Sequence, residues 1–306
     1  KNQHPIVAIP STQLNSIANI PWVKYVQPTS APAVKENLVE RNDHRLNTID
    51  NAFFTGLHFD GTGVSIAEGG DGAISNHIDF AGRLTNHSTD TTGVHGDHVA
   101  GIIAGGGNFD PITSGHARGA DLHAYENYQN LGSIPTDYAL YGIRITSNSL
   151  GQSCNSGYDA DAQSSDQITL SQPSLLSVHS AGNSGNTSCG GVANGFYTIT
   201  GGYKSGKNVI AVGNIDYNDV IASSSSRGPA KDGRIKPEVV AVGTNVYSTQ
   251  PNNSYTTMSG TSMACPAVAG TLGSLWQAYR ETHALADPRS DVMKAILMNT
   301  SDDLGN

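Results

Sequence analysis

Basic residues are in short supply: 17 Lys and Arg stand against 26 Asp and Glu, a formal net charge of −9 over 306 residues. Phosphate backbones are bound by basic faces, so nucleic acid is not the expected partner, and acidity by itself reads as solubility. Long apolar runs are missing too. No stretch of about eighteen apolar residues occurs, so no membrane span is expected. Lys1 opens no leader of the charged-then-apolar kind, which says nothing about earlier processing. Charged residues make up only 14% of the chain and glycines number 35. That composition fits one large globular domain with long loops, or such a domain with a small extension.

Cysteine is scarce, with three in the chain. Cys154 follows Ser149-Leu150-Gly151 and Cys189 follows Ala181-Gly182-Asn183-Ser184-Gly185. Both stand in polar Gly/Ser loops after apolar runs. A disulfide between them would join neighbouring strand-end loops and imply an oxidising, secreted setting; the alternative is two free loop thiols. Cys265 lies in a helical pattern and reads as a small buried hydrophobe.

What is present begins with a self-contained pattern. Ile6–Ile9 reads as a strand, Ser11 or Thr12 caps a helix running through Ile20, and Val23–Val26 alternates like a second strand. A Pro/Ser/Thr/Ala-rich linker, 27–34, follows and marks a boundary. Residues 35–55 read as a polar helix or wrapping segment. From Gly61 onward strands and helices alternate. Strands are expected at 64–68, 121–125, 143–147, 175–180, 208–212 and 239–241, and helices after His95, from Ser262 and from Ser290 to Met298. This order predicts an α/β fold with a mainly parallel central sheet and helices on both faces. Such sheets carry their sites at the carboxyl ends of strands.

Three short runs carry chemistry. Gly260-Thr-Ser-Met-Ala-Cys-Pro266 places Ser262 at a helix start, where orphan N–H groups favour developing negative charge; the plain alternative is an ordinary N-cap. His95-Gly-Asp-His-Val-Ala-Gly101 sets His95 at another helix entrance, placed to act as a general base. His95 and His98 are spaced like a metal pair, but no further ligands stand at matching spacing, so no metal is assigned. Asn183 follows an apolar strand, where an amide serves either a turn or an oxyanion.

Taken together and in order, His95–Gly101, Ala181–Gly185, Ser225-Ser-Arg-Gly-Pro229 and Gly260–Pro266 resemble the subtilisin-like serine proteases, the subtilases, from about Gly61 to about Met298. The resemblance implies peptide-bond hydrolysis through an acyl-enzyme, with Ser262 as nucleophile, His95 as base, and Asn183 with the Ser262 N–H as oxyanion donors. It implies that Ser149, Leu150 and Gly151 pair with a peptide or protein substrate as an added strand. It also implies that residues 179–182, with Ser180, Ala181 and Gly182, line the primary specificity pocket. No cofactor is required for this chemistry. Structural calcium is compatible with the family, but no loop here matches its sites, and acidic loops such as Asp216–Asp219 read as solvated. Residues 6–27, with Trp22–Pro28 the nearest part, resemble the end of a subtilase propeptide. The implied layout is a propeptide-like segment and linker over 1–34 and a catalytic domain over 35–306, with more core beyond Asn306 in the family pattern.

One position departs from that pattern. The family's acid ends the first core strand. Anchored on Gly61-x-Gly63-Val64 and Asn76–Phe80, it falls on Gly70, and Asp71 comes one residue late. Side chains alternate along a strand, so Asp71 needs a local slip to face His95. Glu68 has the right parity but sits two residues back, and Asp97 lies on the far side of the His95 helix. Either Asp71 completes the triad through an irregular strand end, or the acid is lost and the domain is a pseudoprotease that binds peptides.

Overall fold

The computed structural model describes residues 10–21, 23, 38–51, 55–90, 93–151, 157–189, 195–199 and 201–305. The chain divides into two compact units, 1–35 and 36–306. In the first, a 3-10 turn, Ser11–Gln13, leads into α1 (Leu14–Ala18). The helix stops short of Ile20, and Gln13, not Ser11 or Thr12, is its N-cap. The expected strands at 6–9 and 23–26 lie outside the described residues, Val23 excepted.

The second unit opens with two short helices, α2 (Leu38–Asp43) and α3 (Leu46–Ile49), followed by β1 (Ser65–Gly70), β2 (Leu84–Asn86), α4 (His95–Ala104), β3 (Asp121–Glu126), α5 (Gln129–Leu140), β4 (Ile143–Asn148), α6 (Ala160–Ser171) and β5 (Leu176–Ser180). Then come β6 (Ile210–Ile215), β7 (Val239–Val242), β8 (Val246–Gln250), β9 (Ser254–Met258), α7 (Thr261–Thr282) and α8 (Ser290–Thr300). Seven strands form one sheet in the order β2-β3-β1-β4-β5-β6-β7, and the neighbours within it pair parallel. β8 and β9 form a separate antiparallel hairpin.

The six expected strands are present with shifted ends. β2 and the hairpin carry no clear sequence signal: β2 is three residues long at a sheet edge, and the hairpin turns through Asn252 and Asn253, both at positive φ. α5 and α6 are also additions, since α6 is largely polar and α5 contains Pro135.

Strand parity divides the core. Ile66 of β1 packs with Leu122, Ile145 and Val178 against Val99 and Ile103 of α4 and Val268 and Leu272 of α7. Ala67, one residue on, faces the opposite side with Tyr125 and Ile143, beneath Ile134 of α5 and Ile168 of α6. Each fully buried aliphatic side chain contributes roughly 1.5–3 kcal/mol. α4 and α7 pack directly on one another, so the first turns that carry His95 and Ser262 belong to neighbouring helices. Among the described residues, no helix is long and apolar enough to cross a membrane.

Candidate active site

Ser262 is the second residue of α7, not its N-cap, which is Gly260 at φ 153. An added methyl at 260 would stand 3.3 Å from Asn183 Nδ2, so glycine keeps the serine loop tight against the Asn183 loop. Pro266 lies four residues beyond Ser262 and has no N–H to donate to the Ser262 carbonyl. That carbonyl instead accepts the Ser149 hydroxyl at 2.8 Å, and Ser262 Oγ donates to the Ser149 carbonyl at 3.3 Å. The proline inside the helix thus frees a backbone acceptor, and the Ser149 hydroxyl takes it up.

β4 and β5 are parallel neighbours with Asn148 opposite His179. Their carboxyl ends therefore bring Ser149–Gly151 and Ser180–Asn183 side by side. Asn183 Oδ1 accepts the Thr261 N–H at 3.0 Å and the Thr261 hydroxyl at 3.1 Å, which turns its NH2 away from Thr261 as a donor. Thr261 Oγ1 in turn receives the Gly182 N–H at 3.2 Å. Asn183 and Gly151 are exposed, while Ser180, Ala181 and Gly182 are buried.

His95 is the first residue of α4 and half-buried. Asp71 Oδ1 approaches its Nδ1 to 3.8 Å, and the other carboxylate oxygen accepts the Gly96 N–H at 2.9 Å. The slip that this facing requires is present. β1 ends at Gly70, and Asp71 leaves the parallel ladder to bridge Glu126 antiparallel. Strand parity thus does not bind Asp71. Space for its carboxylate comes from Gly93, where an added methyl would run into it. At 3.8 Å the Asp71–His95 approach is an ion-pair distance, longer than a hydrogen bond. Among the described residues, the Ser262 hydroxyl is bonded to Ser149 and not to His95.

The subtilase family model matches residues 61–306. The chain belongs to the subtilase family. It is 34% identical to thermitase of Thermoactinomyces vulgaris over 79% of this chain and 82% of that protein. It is 32% identical to subtilisin DY of Bacillus licheniformis over 82% and 85% of the two. In fold it is similar to the Clostridium perfringens CspB protease, with TM-score 0.71 and 16% identity over 86% of this chain and 94% of that one. A cold-adapted subtilisin-like serine proteinase aligns with TM-score 0.59 and 20% identity over 85% and 92%. This subtilase is accordingly a serine endopeptidase domain that takes peptide or protein substrates.

Gly70, where the sequence pattern places the family's acid, is not vacant space. A side chain there would run into Glu68 Oε1, because residues 68 and 70 share a strand face. Glu68 is fully buried, and among the described residues neither carboxyl oxygen has a partner. Burial raises its pKa well above 4.5, with Asp71 and Asp97 adding to the effect, so Glu68 is carried as the neutral acid. Such a group binds more protons folded than unfolded. Its stability penalty is absent below about pH 4.5 and grows as pH rises from there towards the folded pKa. The unfolding free energy of wild type from urea titrations should therefore fall relative to Glu68→Gln over that range, by at most about 1.4 kcal/mol per pH unit. Parallel pH profiles for the two proteins would contradict this.

Asp97 accepts the Ser75 N–H at 3.1 Å and the Ser75 hydroxyl, pinning the loop after β1. His98 Nε2 lies 3.1 Å from each of the Val246 and Thr256 carbonyls, and burial drives its pKa to about 4. It ties α4 to the hairpin. Among the described residues, no group of three or more His, Cys, Asp or Glu is arranged to hold a metal. Cys265 is free and buried, Cys189 is buried, and Cys154 lies outside the described residues.

His95 itself is held below its ordinary 6.5, chiefly by burial, with Asp71 pulling the other way. A general base works when neutral, so the acid limb of kcat/KM should have its midpoint below 6.5. Asp71→Asn removes the upward pull and should move that limb lower still. A wild-type midpoint above 6.5, or an upward shift in the variant, would contradict the assignment.

Proposed function

We propose that this subtilase hydrolyses peptide bonds with Ser262 as nucleophile, His95 as general base, Asp71 as the orienting acid, and Asn183 with the Ser262 N–H as oxyanion donors. The observation that carries the triad is the Asp71 carboxylate, 3.8 Å from His95 Nδ1 and anchored on the Gly96 N–H. With Nδ1 on the Asp71 side, Nε2 serves the serine. On substrate binding the Ser262 hydroxyl turns from the Ser149 carbonyl to His95 and attacks the scissile carbonyl. Its proton passes to His95 and then to the leaving amine, and water releases the acyl group by the reverse path. Charge on the tetrahedral oxygen falls between the Asn183 NH2 and the Ser262 N–H in the first turn of α7.

Ser149–Gly151 offers its backbone to the substrate as a strand edge. Cys154 and Cys189 form a disulfide in a secreted protein, a pairing supported by Cys265 being, among the described residues, the free cysteine. Residues 1–34 are the chain's own propeptide segment, on the strength of the strand–helix–strand pattern.

A second reading, a pseudoprotease that binds peptides without turnover, is favoured by the Ser262 hydroxyl resting on Ser149 and by the long Asp71–His95 approach. Covalent labelling by a peptide phosphonate separates the two. The proposed enzyme labels at Ser262, with a rate that rises as His95 deprotonates; absence of labelling at every pH supports the binding protein.

A further inference from the structure

Residues 66, 68 and 70 share one face of β1, and Ile66 on that face packs against α4 and α7. Those helices carry His95 and Ser262 in their first turns. Glu68 is thus directed towards the layer beneath the catalytic pair. The titratable groups coupled to it there are Asp97 of α4, Cys265 of α7 and Asp71 at the end of β1. A methyl group at 70 would stand 3.2 Å from the Glu68 carboxyl carbon and run into Oε1, so with Glu68 in place position 70 has no room for a side chain. The strand end is irregular at this point. Gly70 pairs with Glu126 in the parallel ladder, Asp71 bridges the same residue antiparallel, and the Gly70 carbonyl accepts the Asn127 N–H at 2.7 Å. Two residues set against one re-aim the side chain at the strand end, as a bulge does. The Asp71 carboxylate then finds its space at Gly93 and its anchor on the Gly96 N–H.

We propose that Glu68 is the positioning residue of the catalytic acid: its carboxyl fills the volume that a side chain at 70 would need, bars an acid from that position and leaves the orienting role to Asp71. The inference rests on Ser262 and His95 being the reacting pair. Glu68, Gly70 and Asp71 then act as one unit, in which the residue at 68 decides whether the acid stands at 70 or at 71. The role asks for volume without charge. An ionised carboxylate at 68 would repel Asp71 across a dry layer, and burial keeps Glu68 neutral. Glutamine, of the same size and uncharged, meets the same demand, and alanine does not.

The test exchanges the two arrangements in the full chain, with kcat and KM on one peptide substrate as readout. The cost of Asp71→Asn in kcat should be about 10⁴-fold in the wild-type background and less than about tenfold in Glu68→Ala/Gly70→Asp, whose acid stands at 70. Glu68→Ala alone should lower kcat at least about fivefold with KM unchanged, because the acid is no longer held in place, and Glu68→Gln should retain both kcat and the acid limb of its pH profile. A stability readout covers the case in which the double variant does not fold. Gly70→Ala should lower the unfolding midpoint of wild type and leave that of Glu68→Ala nearly unchanged. An equal cost of Asp71→Asn in the two backgrounds, or an equal effect of Gly70→Ala in both, would overturn the positioning role and leave the Ser262–His95 assignment standing. Hydrolysis by the double variant alone would overturn the role of Asp71 and this inference with it. No hydrolysis by any of the proteins would overturn the proteolytic reading as well.

Discussion

Ser262→Ala is expected to lower kcat by about 10⁶-fold, the loss known for the nucleophile of subtilisin, a member of the same family. The fold should barely respond. The contacts that build this corner run through the backbone of Ser262 and through its neighbours. Its carbonyl, left free by Pro266, holds the Ser149 hydroxyl, and Thr261 holds Asn183 and Gly182. Only the 3.3 Å bond from Ser262 Oγ to the Ser149 carbonyl is lost, about 0.5–1.5 kcal/mol. The check is kcat on one peptide substrate together with the unfolding midpoint. A loss of less than about tenfold, with the midpoint unchanged, would remove Ser262 from the chemistry.

Asp71→Asn is the second large effect, with an expected drop in kcat of about 10⁴-fold, again the scale set by serine-protease triads. Asparagine keeps the shape and can still accept the Gly96 N–H through its Oδ1. In the proposed triad, what it loses is the negative charge that holds the His95 tautomer and stabilises the imidazolium. The Asp71 carboxylate also meets the N-terminal turn of α4, whose N-cap, Val94, makes no side-chain cap bond. Asp71→Ala removes both functions and should cost about 0.5–2 kcal/mol of stability besides. The pair of variants separates the roles. If Asp71 serves only the helix, Asp71→Asn leaves kcat near wild type while Asp71→Ala lowers the unfolding midpoint.

The positions of Ser262, His95 and Asn183 were legible because each stands at an element boundary that the chain itself announces: glycine before a helix, a helix entrance at His95, and a glycine turn after an apolar strand. The facing of Asp71 was not. Parity along β1 predicts that residues 70 and 71 point to opposite faces, and that rule holds only while the strand continues. β1 stops at Gly70. The room for the Asp71 carboxylate is supplied by Gly93, twenty-two positions away in sequence, and no local pattern reveals such a pairing. Glu68 illustrates the same limit. A glutamate with core parity reads as a poor fit for a strand interior, yet it fills the space that Gly70 leaves and stays neutral to do so.

α5 and α6 were missed for a different reason. They cover the smaller apolar layer, where Ile134 and Ile168 suffice to seal the sheet, so their sequences need little hydrophobic periodicity. The larger layer between the sheet and α4 and α7 demands continuous apolar faces, and those helices were visible.

The account stands most directly on whether the charge of Asp71 acts through His95. The deciding measurement is the pH dependence of Ser262 phosphonylation by one peptide phosphonate in wild type and in Asp71→Asn, with both proteins shown to unfold at the same midpoint. The account predicts labelling of wild type that rises with pH to a plateau, with its midpoint below 6.5, and a plateau about 10⁴-fold lower in the variant. Superimposable curves for the two proteins would contradict it, and Asp71 would then be a helix cap beside a triad without its acid.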